Sequence, residues 1–171
     1  MSCTLITTGV AKDCNPNTGG LHRIWITDAE NVLSLTESAG EVTAISMSSA
    51  TYFYEYIVNK NTSTFAEKGT FSIENGTSFH EQTVTIKLAR RQKSTRNALA
   101  MLVRKDLVVI VLDQNGLYWI IGASNGANLT EMPSESGTQK GDFNGYTLTI
   151  LAQEPVQAYE VTSGAVAAVI V

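Results

Sequence analysis

Apolar and polar residues alternate along most of this chain, the pattern of strands whose two faces meet different surroundings. In "EVTAISMSSATYFYEYIV", residues 41–58, Thr43, Ile45, Met47, Phe53 and Ile57 interleave with Tyr52, Tyr54 and Tyr56, so a strand there carries a face of stacked tyrosines. Val84, Ile86 and Leu88 alternate with Thr83, Thr85 and Lys87, which predicts a strand with one wet side. Shorter strands are predicted in "LHRIWI" (21–26) and "VLSL" (32–35), separated by the turn-rich Asp28-Ala29-Glu30-Asn31.

Two stretches depart from alternation. In "KSTRNALAMLVRK", residues 93–105, Leu99, Leu102 and Val103 recur at i, i+3 and i+4 after Ser94 and Thr95. That spacing predicts one helix, capped by either hydroxyl, with the three apolar residues on the core and the basic residues outward. Directly after it, Leu107 to Leu112 are all apolar. In a β-rich chain a run of that kind reads as a strand covered on both faces, the most buried of the set.

Asp-x-Asn-Gly occurs twice, in "DQNGLYWIIG" (113–122) and "DFNGYTLTI" (142–150). As an EF-hand, each loop needs a bidentate acid at its twelfth position, where Ser124 and Gln153 stand instead. Asn-Gly between strand-like runs is a hairpin signal, because a type I′ turn needs positive φ at both central residues. Residues 107–112 and 117–121 are therefore predicted to pair around Asn115-Gly116, and 142–145 to form a second tight corner. Asn75-Gly76 and Asn125-Gly126 mark further turns.

Between these elements lie two long polar intervals, 59–78 and 122–141. The first reads as an extended hairpin arm, the second as a loop of a length usually reserved for function or partners. The closing "TSGAVAAVIV" is apolar through Val171; left free, it would expose a sticky edge, so it is expected to be held against something. The whole of 1–171 reads as a single β domain with loop arms at 59–78 and 122–141 and this apolar C-terminal tail.

The length of 171 residues permits a core without metal or disulfide support. A charged share of 16% is low for a fully solvated surface and suits one partly covered by partners. No basic leader or 18-residue apolar run is evident, which points to a cytosolic site of synthesis and no membrane. Cys3 and Cys14 lack ligand-spaced histidines and read as buried thiols rather than a zinc site, with a short disulfide loop the alternative. No cofactor motif is present: neither a nucleophile elbow, nor His-Glu-x-x-His, nor a phosphate-binding loop. Of the two histidines, His22 and His80, the second adjoins Glu81, but neighbours on a strand point to opposite faces. A non-enzymatic role is expected.

Charge is segregated. Residues 87–105 carry seven basic and no acidic side chains, 106–171 one basic and seven acidic, and the net charge is −4. Lys87, Arg90, Arg91, Lys93 and Arg96, with Arg104 and Lys105, read either as a solvated helix edge or as a surface that meets the acidic part of another copy; nucleic-acid binding fits least, since no stacking platform interleaves. The candidate assembly interface is thus Lys87, Arg90, Arg91, Lys93 and Arg96, together with the apolar Ala165, Val166, Val169, Ile170 and Val171 of the tail.

Four stretches, "TTGVAKDCNPNTGGLHRIWI", "GEVTAISMSSATYFYEYIVNKNTSTF", "VVIVLDQNGLYWIIGASNG" and "GDFNGYTLTILAQE", together resemble small virion structural proteins of tailed bacteriophages, of the tail-tube type. The resemblance implies a β-sandwich or barrel with one flanking helix. It also implies a homo-oligomeric, hexameric ring stacking into a tube, with other tail or neck proteins as partners. DNA would pass through the lumen without specific binding, and the chain would belong to the virion tail after assembly in the host cytoplasm. Related barrels serve as tail terminators or head-tail connectors, which remain alternatives. A different class is a carbohydrate-binding adhesion module, in which Tyr52, Tyr54 and Tyr56 stack on sugar rings.

Overall fold

The computed structural model describes residues 9–10, 12, 14–59 and 61–171. The chain is mainly β, as the alternation implies. Its strands are β1 Leu21–Asp28, β2 Val32–Ser38, β3 Glu41–Met47, β4 Tyr54–Tyr56, β5 Thr64–Ser72, β6 Thr77–Ala89, β7 Leu107–Asp113, β8 Tyr118–Ile121, β9 Ala127–Glu131, β10 Ser134–Glu135, β11 Gly145–Glu154 and β12 Tyr159–Val161. Helix α1 covers Lys93–Leu102 and α2 covers Ser163–Ala167; a 3-10 turn, Ala29–Asn31, joins β1 to β2.

Strand β7 is the hub. On one edge it pairs antiparallel with β1, Trp25 opposite Ile110 and Asp28 opposite Leu107, and β1 passes the ladder on to β4. On the other edge it pairs with β8, from which the sheet continues through β12 and β3 to β2. A second ribbon runs β9-β11-β6-β5, with β10 on β11. The ribbon joins the first sheet where Leu107 of β7 meets Ala127 of β9.

Two cores form, one on each face of the first sheet. Between sheet and ribbon, Ile24, Ile26, Val109 and Val111 meet Val84, Ile86, Leu148 and Ile150, and Leu99 and Leu102 of α1 close the end. On the opposite face Trp25, Val108, Ile110 and Ile120 pack with Val42, Phe53, Val161 and the C-terminal Val166 and Val169. This explains the unbroken apolar run in β7: its side chains alternate between two interiors, and Leu107 to Val111 are all buried. The ribbon has only one interior. In β6 the inward positions are His80, Gln82, Val84, Ile86 and Leu88, while Glu81, Thr83, Thr85 and Lys87 face outward or lie half-buried.

Helix α1 differs in its bounds from the 93–105 expectation. Gln92 is its N-cap and makes no side-chain capping bond, so neither Ser94 nor Thr95 caps it. It stops at Leu102 because Val103 is already extended (φ −70, ψ 130) and Arg104 is left-handed (φ 66). Val103 therefore leaves the helical phase and is exposed, whereas Leu99 and Leu102 are buried as predicted. The second helix, α2, has no counterpart in the sequence reading. Its five residues are too few to show a period, yet Thr162 caps it by accepting a hydrogen bond from the Ala165 amide at Oγ1.

The long intervals also resolve into structure. Residues 59–78 hold β5, the start of β6 and the four-residue tip Ile73–Gly76, where Gly76 is left-handed (φ 62) and Ser72 Oγ accepts from the Asn75 amide. The interval 122–141, expected as one loop, contains β9 and β10 instead. Ala127 is fully buried between Leu107 and Ala152, a pairing whose partners lie far off in sequence. Cys14 is exposed and free rather than buried, while Cys3 lies outside the described residues.

Candidate assembly surfaces

The two Asp-x-Asn-Gly motifs are turn devices, and different ones. In the first, β7 and β8 pair as predicted, Leu112 opposite Tyr118, but the loop is Gln114-Asn115-Gly116. Only Gly116 has positive φ (87), whereas a type I′ turn needs it at Asn115 as well. The Gly116 amide donates to the Asp113 carbonyl, and Asp113 Oδ1 accepts from the Asn115 and Leu117 amides at 2.8 and 2.9 Å. This is the three-residue hairpin with a left-handed glycine bulge, closed by its own aspartate. In the second motif Asn144-Gly145 is not a corner at all. Gly145 opens β11, and a Cβ there would strike the Leu88 carbonyl oxygen across the ladder. Asp142 instead accepts from the Thr138 and Gln139 amides at 2.8 and 2.7 Å, and these bonds hold its carboxyl below the usual range. Both carboxylates are occupied by backbone amides, and no group of acids, histidines or cysteines among the described residues could hold a metal.

His80 and Glu154 stand opposite each other in β6 and β11, both buried, a juxtaposition that sequence spacing hides. They do not form a base-acid dyad. Glu154 accepts from the amides of Ser124 and Asn125, and His80 Nδ1 has no partner; its ring instead lies edge-on to Phe71 at 5.6 Å. Beside them Gln82 accepts from the Gly122 amide and donates to Glu67 and to the Val156 carbonyl. These buried polar groups fasten the turn after β8 to the ribbon, where unpaired amides would be costly.

The basic residues gather where β6 turns into α1. Lys87 lies outward on β6 with Nζ 5.7 Å from the centre of the Phe143 ring. Arg90 makes the turn itself, left-handed (φ 69), its amide bonded to the Asn144 carbonyl. Arg91, Lys93 and Arg96 are exposed. Among the described residues the ion pairs are Arg23–Glu55 at 3.6 Å and Lys105–Asp28. Arg90, Arg91, Lys93 and Arg96 form none among the described residues, so cations predominate at this end of the ribbon, although Glu135, opposite Gly145, and Asp142 stand there too. At its other end stand Glu67, Lys68 and Glu81, and beyond them the β5–β6 tip with Glu74.

The apolar half of the candidate interface is placed differently. Ala165, Val166 and Val169 are interior, part of the second core, and Ile170 forms a parallel bridge with Phe53. Phe53 donates to the Val169 carbonyl at 2.9 Å and accepts from the Val171 amide at 3.1 Å. The tail is thus held against its own chain; of the five candidate residues only Val171, 71% exposed, faces outward, beside the exposed Ala167 and Ala168.

An open groove of about 740 Å³ lies between α1 and β4, floored by Ile26 and Leu88. Tyr54, Tyr56 and Ile57 form one wall and Met101 and Leu102 part of the other. Tyr56 is half-buried there, and burial, with Asp28 nearby, raises its hydroxyl above the usual range. Tyr52 and Tyr54 are exposed, so the tyrosine face exists but only in part. Nothing in the sequence spacing brings β4 and α1 together, which is why this groove went unforeseen. Comparison with family models, curated proteins and solved structures returns no match.

Proposed function

We propose that the chain is a structural subunit of a phage tail, which self-assembles into rings that stack into a tube for DNA passage. The observation that carries this reading is the uneven charge along the ribbon: a cluster of cations where β6 turns into α1, and an exposed hairpin tip carrying Glu74 at the other end. A surface of this kind is complementary to a translated copy of itself, and heterologous contacts propagate into rings or filaments. Among the described residues the terminal strands β2 and β5 leave sheet edges open for neighbours, as subunits that share a barrel require. An overall charge of −4 suits a wall along which DNA slides without sticking.

Electron microscopy of the purified chain at rising concentration, with sedimentation in parallel, tests the proposal. Rings and tubes with a central passage are expected; monomers alone at high concentration overturn it. A ring that never stacks would favour the terminator or connector reading. The exposed Tyr52 and Tyr54 keep a carbohydrate-binding module as the second reading, and glycan-array binding by the monomer would favour it over the tube.

A further inference from the structure

We propose that the tip of the β5–β6 hairpin of one copy docks in the groove between α1 and β4 of the next, with Ile73 as its apolar anchor. This rests on the tube reading for its biological setting but on its own geometry for the contact. Ile73, at the tip, is 99% exposed and Phe71, near the end of β5, is 67% exposed. No described residue covers Ile73, and Phe71 meets only the edge of His80. The tip is nevertheless ordered by the Ser72–Asn75 bond and the left-handed Gly76, so little freedom remains to be lost on docking.

The groove offers what such a tip needs. Ile57 and Met101 are among its lining, 81% and 68% exposed, apolar surface that the described residues leave open. Strand β4 pairs only with β1 among the described residues, and Phe53 just before it is bonded to the tail, so no further strand stands between β4 and the groove there. A hairpin tip entering beside it can place its apolar side chain in the groove. Its volume of about 740 Å³ holds several side chains.

Charge sets the direction. The groove's own carboxylates are already paired, Asp28 with Lys105 and Glu55 with Arg23. Arg90 and Arg91 immediately precede Gln92, which lines the groove, and neither forms an ion pair among the described residues. Glu74 follows Ile73 at the tip, so insertion of Ile73 brings a carboxylate toward free guanidiniums. Tip and groove sit at opposite ends of β6, a strand of 13 residues with a contour of about 40 Å at roughly 3.3 Å per residue. A copy therefore cannot fold its own tip into its own groove along that strand, and each docking event leaves a tip and a groove free for the next.

Disulfide trapping tests the contact. In a Cys3→Ser, Cys14→Ser background, Ile73→Cys and Met101→Cys are combined in one chain under mild oxidation. A ladder of linked dimers, trimers and longer species is expected, and a mixture of the two single-cysteine chains should stop at the heterodimer. Independently, Ile73→Asp should raise the concentration needed for assembly at least tenfold while leaving the fold unchanged by circular dichroism. Tubes that form without the ladder and tolerate Ile73→Asp would overturn the docking and leave the tube reading standing. Laddered chains without rings or tubes would support the docking and sink the tube. Monomers throughout would end both.

Discussion

At the residue scale, one glycine shows a purely conformational demand and another a purely spatial one. Gly116 sits at φ 87 with nothing within 4 Å of where a Cβ would stand. A Cβ at that position therefore meets no neighbour, yet Gly116→Val forces a β-branched residue into the left-handed region, at a cost of at least about 1–2 kcal/mol. Chemical denaturation should show the loss; an unchanged midpoint would mean the loop relaxes freely. Gly145 has no such φ, but a methyl there collides with the Leu88 carbonyl, so Gly145→Ala should disturb the β6–β11 ladder. Asp142 makes a pH prediction. Its folded pKa is depressed by the amides of Gln139 and Thr138, so its hold on that loop is complete above the ordinary carboxylate range and is lost as pH falls through the lowered value. The Thr138 and Gln139 amide resonances should report that acid titration, and Asp142→Asn should abolish it. Because Asp142 is fully exposed, global stability should hardly follow.

At the element scale, α1 and the C-terminal segment are both tied to interiors. Leu102→Ala should destabilise by about 2–5 kcal/mol, as deletion of a buried leucine usually does. Val103→Ala should stay within about 0.5 kcal/mol, since Val103 lies outside the helix and is exposed. Equal losses in thermal unfolding would place the helix face wrongly. The tail is a folding element before it is anything else. Phe53→Ala should cost about 3–5 kcal/mol, because the ring fills the second core against Val166 and Val169; the two bonds to the tail are main-chain bonds that alanine retains. Removing residues 163–171 should likewise lower monomer stability, so loss of assembly in that variant alone would not locate an interface.

At the scale of the whole molecule, the separated charges make assembly sensitive to salt and the apolar contacts do not. Reversing Arg90, Arg91 and Lys93 to glutamate should weaken assembly most at low ionic strength, because exposed charges are screened over about 8 Å near 0.15 M. An interface anchored by Ile73 should persist, and sulfate should strengthen it, since burial of apolar surface does not depend on screening. Sedimentation of wild type and variant across a salt series separates the two. Identical profiles would show that the basic end is not a joint.

Local pattern was enough for what depends on near neighbours. The alternation in β6, the doubly apolar run of β7, the Leu99–Leu102 face of α1 and the β7–β8 hairpin all rest on spacings of two to four residues, and each lies where those spacings put it. Contacts made across long separations left no such mark. Ala127 between Leu107 and Ala152, the tail clamped by Phe53, His80 opposite Glu154 and the groove between β4 and α1 join segments dozens of residues apart. The five candidate cations could be named from sequence because exposed charge is a property of composition. Ala165, Val166 and Val169 could be recognised as apolar, but whether their own chain or another covers them depends on which distant surface the sheet brings alongside, and only the folded chain decides that.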